Sequence, residues 1–150
     1  MPILLLLYTL VFSSPSDLKQ LRDLFPLIGI NESSNKKMLE VAKKNNALPE
    51  SVKMAYAASA CMASAKFKTF PLAKYQAFAE GKKMLEESIA MDKQNPEIRF
   101  VRYVIQSELP AFLLYNQNTN EDKIFLLKSL PALKSSDPDL FSRIATYLKI

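Results

Sequence analysis

The sequence predicts an all-α fold, one compact bundle of six or seven helices, and three observations carry that prediction. Glycine occurs twice in 150 residues, while alanine, leucine, lysine and glutamate abound; that balance of strong helix formers and few breakers favours helices. Apolar residues recur at spacings of three and four along most of the chain, which marks one face of a helix. Runs of β-branched residues are few, and no segment reads as a strand. An apolar share of 49% with 23% charged residues suits an ordinary globular domain that closes its core without metals or disulfides.

Residues 1–16 carry no charged side chain, and residues 3–12 are an apolar run broken only by Thr9. The run matches a signal-peptide core in length and falls short of the roughly 20 apolar residues of a membrane-spanning helix. Val11 and Ser13 are small enough for the −3 and −1 positions of a cleavage point before Ser14, although no Lys or Arg precedes the run. Residues 1–13 are therefore read as a signal peptide and 14–150 as the helical domain. The expected location is periplasmic or extracellular; a retained segment would instead be a buried helix of a cytoplasmic protein. No later stretch is long and apolar enough to be transmembrane.

From residue 17 to 28, Leu18, Leu21, Leu24, Phe25 and Ile28 share a face. Ser16 caps this helix, Asp17 suits its positive end, and Pro26 and Gly29 stop or kink it. Residues 31–35 read as a polar loop. A second helix over about 34–44 turns Met38, Leu39, Val41 and Ala42 inward and ends at Asn45 and Asn46. Pro49 opens a third over 50–68, with small or apolar residues nearly all round, as in a helix enclosed by neighbours. Thr69, Phe70 and Pro71 break it.

The next helix covers 72–91 with Tyr75, Phe78, Ala79, Leu85 and Ile89 inward. Gly81 in its middle costs about 1 kcal/mol relative to alanine, which close contact with a neighbouring helix offsets. Asn95, Pro96 and Glu97 form a clear helix start, and Ile98, Val101, Arg102 and Ile105 follow at helical spacing until Leu109 and Pro110. Residues 111–115 are a short apolar segment bounded by Pro110 and a polar run. Thr119 or Asn120 caps a helix carrying Ile124, Phe125, Leu127 and Leu130, with a capping-box pattern over 119–122. Asp137 and Pro138 open the last helix, which turns Leu140, Phe141, Ile144, Ala145 and Leu148 inward.

Gly81, Leu85, Ser88, Ile89 and Asp92, followed by Asn95 and Glu97, resemble the second helix and connecting turn of a tetratricopeptide repeat, which places small residues where Gly81 and Ser88 fall. Lys93 departs from the proline common in that turn, and a repeat of roughly 34 residues would put Pro71 inside the first helix. The match covers about 20 residues and one repeat, whereas an array needs about three. The resemblance implies tetratricopeptide-like helix-hairpin packing within one domain that presents a surface to a protein or peptide. Residues 55–115 also resemble exported helical proteins of bacteria, which implies export.

The chain has no histidine, and its two glycines lie 52 positions apart (Gly29 and Gly81). These facts remove His-based triads, His/Cys metal sites and Gly-rich phosphate loops. Cys61, in an alanine-rich helix, reads as a small buried hydrophobe. Ser-x-x-Lys occurs at Ser16, Ser33 and Ser34 without its usual companion motifs. Glu80, Glu86 and Glu87 lie among Lys82 and Lys83 as surface ion pairs. No catalytic, cofactor-binding or metal-binding residue emerges, and the chain is expected not to be an enzyme. Its net charge of +5 is spread along the chain as solvated lysines, so no nucleic-acid partner is expected.

The candidate partner-binding residues are Arg99, Arg102, Tyr103, Phe112 and Tyr115. The two arginines flank an apolar face and suit an acidic peptide or anionic headgroup; the alternative is salt bridges with Glu97 or Glu108. Phe112 and Tyr115 form either a docking patch or the core plug. The leading expectation is a non-enzymatic exported module that binds a protein or peptide in a helix-pair groove. The alternative is a carrier of a small apolar or lipid-like ligand, suggested by Met54, Met62, Met84 and Met91 among aromatics. A carrier should enclose an apolar pocket of about 300 Å3 or more. A binding module should expose a concave groove with Tyr or Arg on its floor.

Overall fold

Seven helices, and no strand, form among the described residues, 16–44 and 47–150, of the computed structural model. The expected signal peptide and the terminators Asn45 and Asn46 lie outside the described residues. Helix α1 (Asp17–Leu24) starts at Ser16, whose hydroxyl accepts the Lys19 amide at 3.2 Å. A 3-10 turn, Phe25–Leu27, tightens the chain at Pro26. Helix α2 (Glu32–Ala42) begins inside the stretch expected to be a loop. Asn31 Oδ1 accepts the Ser34 amide at 2.8 Å, so this polar run is a cap followed by a first turn. Helix α3 (Glu50–Ser64) passes into a second 3-10 turn, Ala65–Phe67.

Helix α4 (Pro71–Met91) and helix α5 (Pro96–Glu108) both open with proline in the first turn, where no amide is needed. At the start of α5, Asn95 Oδ1 accepts the Glu97 amide at 2.9 Å. A third 3-10 turn, Ala111–Leu113, ends at Leu114 with φ of 51°. Helix α6 (Thr119–Ser136) lacks the expected capping box. Thr119 Oγ1 donates back to the Asn116 carbonyl at 2.8 Å instead. This helix runs through Pro131, where the lost backbone bond falls on Leu127, exposed enough for water to replace it. Helix α7 (Pro138–Leu148) starts where Asp137 Oδ1 accepts the Leu140 amide at 3.0 Å.

Helix α3 is the centre of the main core. Its most extensive pairing is with α4, and it also packs on α2 and α5. Ala55, Ala58 and Ala60 are wholly buried. A Cβ at Gly81 would fall 2.8 Å from the Ala58 carbonyl oxygen and 2.7 Å from the Met62 nitrogen. Only glycine permits that approach, which is the close contact that the sequence anticipated.

This contact also corrects the expected inward face of α4. The buried stripe is Ala77, Gly81, Leu85, Ser88 and Ile89. Tyr75, expected inward, lies about 120° round from Gly81 at 3.6 residues per turn and is 68% exposed. In α6 the buried stripe is Asp122, Leu126, Leu130 and Leu133, which leaves Ile124 and Leu127 outside. Phe100, Leu126, Leu130, Leu133, Leu140 and Ile144 form a second, smaller core joining α5, α6 and α7. Among the described residues no helix is long and apolar enough to cross a membrane.

Candidate functional site

A groove of about 640 Å3 opens between the turn after α1, helix α5 and helix α7. Its apolar wall comprises Phe25, Ile28, Phe100, Val104, Ile105 and Tyr147, with Lys66, Glu108 and Arg143 at its edges. Pro26 tightens the chain into the turn that places Phe25 there. The Phe25 ring then meets Tyr56 edge-on, with centroids 5.8 Å apart. Across the groove Tyr147 packs edge-on against Phe100 and Tyr103, at 6.0 and 5.8 Å. Its hydroxyl donates to Glu108 Oε1 at 2.6 Å. Burial and then that carboxylate raise the Tyr147 pKa, so the phenol stays protonated.

Arg22 also lines the groove and is 6% exposed. Its Nε and Nη2 donate to the Glu97 carboxylate at 3.0 and 2.5 Å. Nη2 also donates to Asp137 at 2.6 Å, and Nη1 to Asp139 at 2.9 Å. Burial opposes the arginine charge, but these carboxylates outweigh it and raise the pKa. Tyr56 completes the cluster by donating to Glu97 Oε1 at 2.5 Å. Burial first and the Glu97 charge second push the Tyr56 pKa well up. Arg143 extends the cluster outward, donating to Asp23 at 2.5 Å, to Asp139 at 3.1 Å and to the Arg22 carbonyl at 3.0 Å. Helices α1, α3, α5 and α7 thus meet at a single charge cluster.

A second cluster centres on Asp122, which is wholly buried. It accepts from Arg99 Nη1 at 2.7 Å and from Arg102 Nε and Nη2 at 2.7 and 2.8 Å. Arg99 also bonds Glu121 at 2.8 Å, and Arg102 bonds Glu86 at 3.0 Å. Tyr115 donates to Glu86 at 2.5 Å. Burial, then the Glu86 bond, raises the Tyr115 pKa. Cys61 is half-buried, with its thiol 3.5 Å from the Ala77 carbonyl. Burial, then Glu80, raises its pKa, which favours the thiol over the nucleophilic thiolate. Among the described residues no group of three metal-ligating side chains converges.

The structure does not gather the five candidate residues on one surface. Arg99, Arg102 and Tyr115 are buried, and their polar atoms are engaged within the fold. The arginines pair with Asp122, Glu121 and Glu86, and not with Glu97 or Glu108. Tyr103 is half-buried beside the groove, through its contact with Tyr147. Phe112 is 80% exposed, so the core end is closed by Tyr115 alone of that pair. Sequence reasoning missed Arg22, Phe25, Phe100, Arg143 and Tyr147 as groove residues. One signal was present: Arg22 falls four residues after Leu18, within the buried stripe of α1, where a charge requires a partner.

No protein-family model matches the chain, and no curated protein or solved structure is significantly similar to it.

Proposed function

We propose that this chain is a non-enzymatic, exported helical module that binds a protein or peptide segment in the groove between the Phe25–Leu27 turn, α5 and α7. One observation carries the reading. The groove is concave, largely apolar and open along one side, and it has both Tyr147 and arginines in its lining. Its volume of about 640 Å3 suits the anchor side chains of one amphipathic segment. The lining arginines are saturated by carboxylates, so the groove is built for shape and apolar contact. Lys66 adds a preference for an acidic residue at one end. Its ammonium reaches only the Gly29 carbonyl, at 3.3 Å, and among the described residues no carboxylate pairs with it. The α3–α4 hairpin with Gly81 at its contact point supports tetratricopeptide-like packing behind the groove. The open side counts against a carrier that must shield its cargo.

Selection of a random peptide library on the purified chain tests this proposal. Peptides with apolar residues at helical spacing and a flanking acid should be enriched. Their binding should be lost in Thr146→Trp, which fills the groove from an exposed position, and weakened in Lys66→Glu. Peptides that bind both variants as they bind the parent would contradict the proposal. Export is tested by the N-terminus of the protein recovered from expressing cells: Ser14 is expected, and an intact Met1 would contradict it.

A further inference from the structure

A second surface, which shares no lining residue with the groove, combines exposed apolar side chains with lysines that lack a close carboxylate. Phe70, Leu72 and Tyr75 project from the start of α4, and Phe112 and Leu114 from the 3-10 turn beside it; all five are about two-thirds exposed or more. The two segments are neighbours, because Tyr75, Phe78, Lys82 and Leu113 surround one shallow hollow. The Phe78 and Tyr115 rings meet edge-on at 6.4 Å, and Lys82 lies 4.9 Å above the Tyr115 ring. Monomeric proteins rarely leave such groups of large apolar side chains to water without use.

The charge around the patch is one-sided. Lys68 and Lys74 lie near the start of α4, and Lys82 and Lys83 line the hollow. Among the described residues no carboxylate pairs with the first three, and Lys83 has only a 3.8 Å approach to Glu87. Glu86 is committed to Arg102 and Tyr115. Of the five, Tyr75 lines the hollow, while Phe70, Leu72, Phe112 and Leu114 stand outside it. A peptide needs a concavity for its anchors. A lipid surface instead takes projecting aromatic and aliphatic tips below its headgroups, with lysine ammonium groups left at phosphate level.

From this geometry we infer that the face formed by the start of α4 and residues 112–114 docks on an anionic membrane surface. The tips enter the headgroup boundary, and the four lysines neutralise lipid phosphates. The groove and the hollow share no lining residue, so on this reading the protein binds its peptide while held at the membrane.

The chain has no tryptophan, so Phe112→Trp in the full chain reports on this face alone. Phosphatidylcholine vesicles with added phosphatidylglycerol should shift its emission to the blue, and brominated lipid should quench it. Pure phosphatidylcholine should do neither. Replacing the four lysines by glutamine should weaken vesicle binding roughly five-fold for each lysine removed. Phe70→Ser with Leu72→Ser should weaken it further, while Ile124→Ser, at an exposed apolar site on α6, should not. Residues 1–15 are common to all these variants, so their contribution cancels. An unshifted emission with anionic vesicles would overturn the inference. So would a blue shift produced by an acidic peptide such as polyglutamate and not by the vesicles, which would make the face a peptide dock.

Discussion

The two halves of this molecule are held together by opposite means. Helices α2, α3 and α4 meet along their backbones, because Ala55, Ala58, Ala60, Gly81 and Ser88 leave room for main chains to nest. Around α5 the long arginines do the joining. Arg22 links α1 to Glu97 of α5 and to Asp137 and Asp139 at the start of α7, 75 to 117 residues away. Small side chains let these helices nest closely, and the hollow of about 420 Å3 that they leave lies beside Leu39, Cys61 and Met84. The Arg22 bridges fasten α1 to α5 and α7, which it touches little elsewhere, and the groove lies beside them. The difference shows how one chain builds both a closely packed support and an open groove.

Each half can be perturbed separately. The largest effect is expected from Asp122→Ala, which strands Arg99 and Arg102 without their shared carboxylate. Removing one side of a buried ion pair costs about 3–5 kcal/mol, to be read as a lower denaturant midpoint. Gly81→Ala acts on the other half. Helix propensity improves by about 1 kcal/mol, but the new Cβ collides with backbone atoms of α3. Overpacking of about 1–3 kcal/mol should win, leaving a variant that is less stable by urea unfolding although more helix-prone.

Acid should separate the halves next. Hydrogen bonding from Arg22 holds the Asp137 carboxyl below its ordinary value of 3.8. Burial pushes Asp139 up, but Arg143 and Arg22 together bring it below 3.8. Bonds from Lys19 and then Arg143 lower Asp23 in the same direction. Because the folded values are depressed, the stabilisation is complete above pH 3.8 and is lost as pH falls through them. Amides of α1 and α7 should therefore lose protection below that pH before those of α3 and α4. Asp137→Asn should flatten the acid limb of the stability curve. The smallest effect is expected from Lys36→Gln, which removes an exposed pair with Glu32 at 3.3 Å. Such pairs contribute little, and the unfolding midpoint should not move measurably.

Most of the fold was legible in the sequence, because helix starts are decided between residues two or three apart. Ser16, Asn95 and Asp137 cap helices as their side-chain chemistry requires. Gly81 announced a close contact because a mid-helix glycine needs one. The rotation of each helix was harder to read. Tyr75 looked inward by spacing, yet the small-residue stripe through Gly81 won the contact with α3. Asp122 turned α6 by requiring the two arginines of α5. The candidate site was the least legible part. Arg99 and Arg102 attracted attention because they flank an apolar face, but a buried carboxylate 20 residues or more away claims both. The partners of Arg22 lie farther still along the chain, and no local pattern encodes them.

The most direct measurement is native-state hydrogen exchange, read by mass spectrometry, on Arg22→Met. This change keeps a long side chain but removes the bonds to Glu97, Asp137 and Asp139. Faster exchange is expected in 17–24 and 138–148, with 50–64 and 71–91 protected as in the parent. Uniform acceleration along the chain, or acceleration confined to α3 and α4, would contradict it.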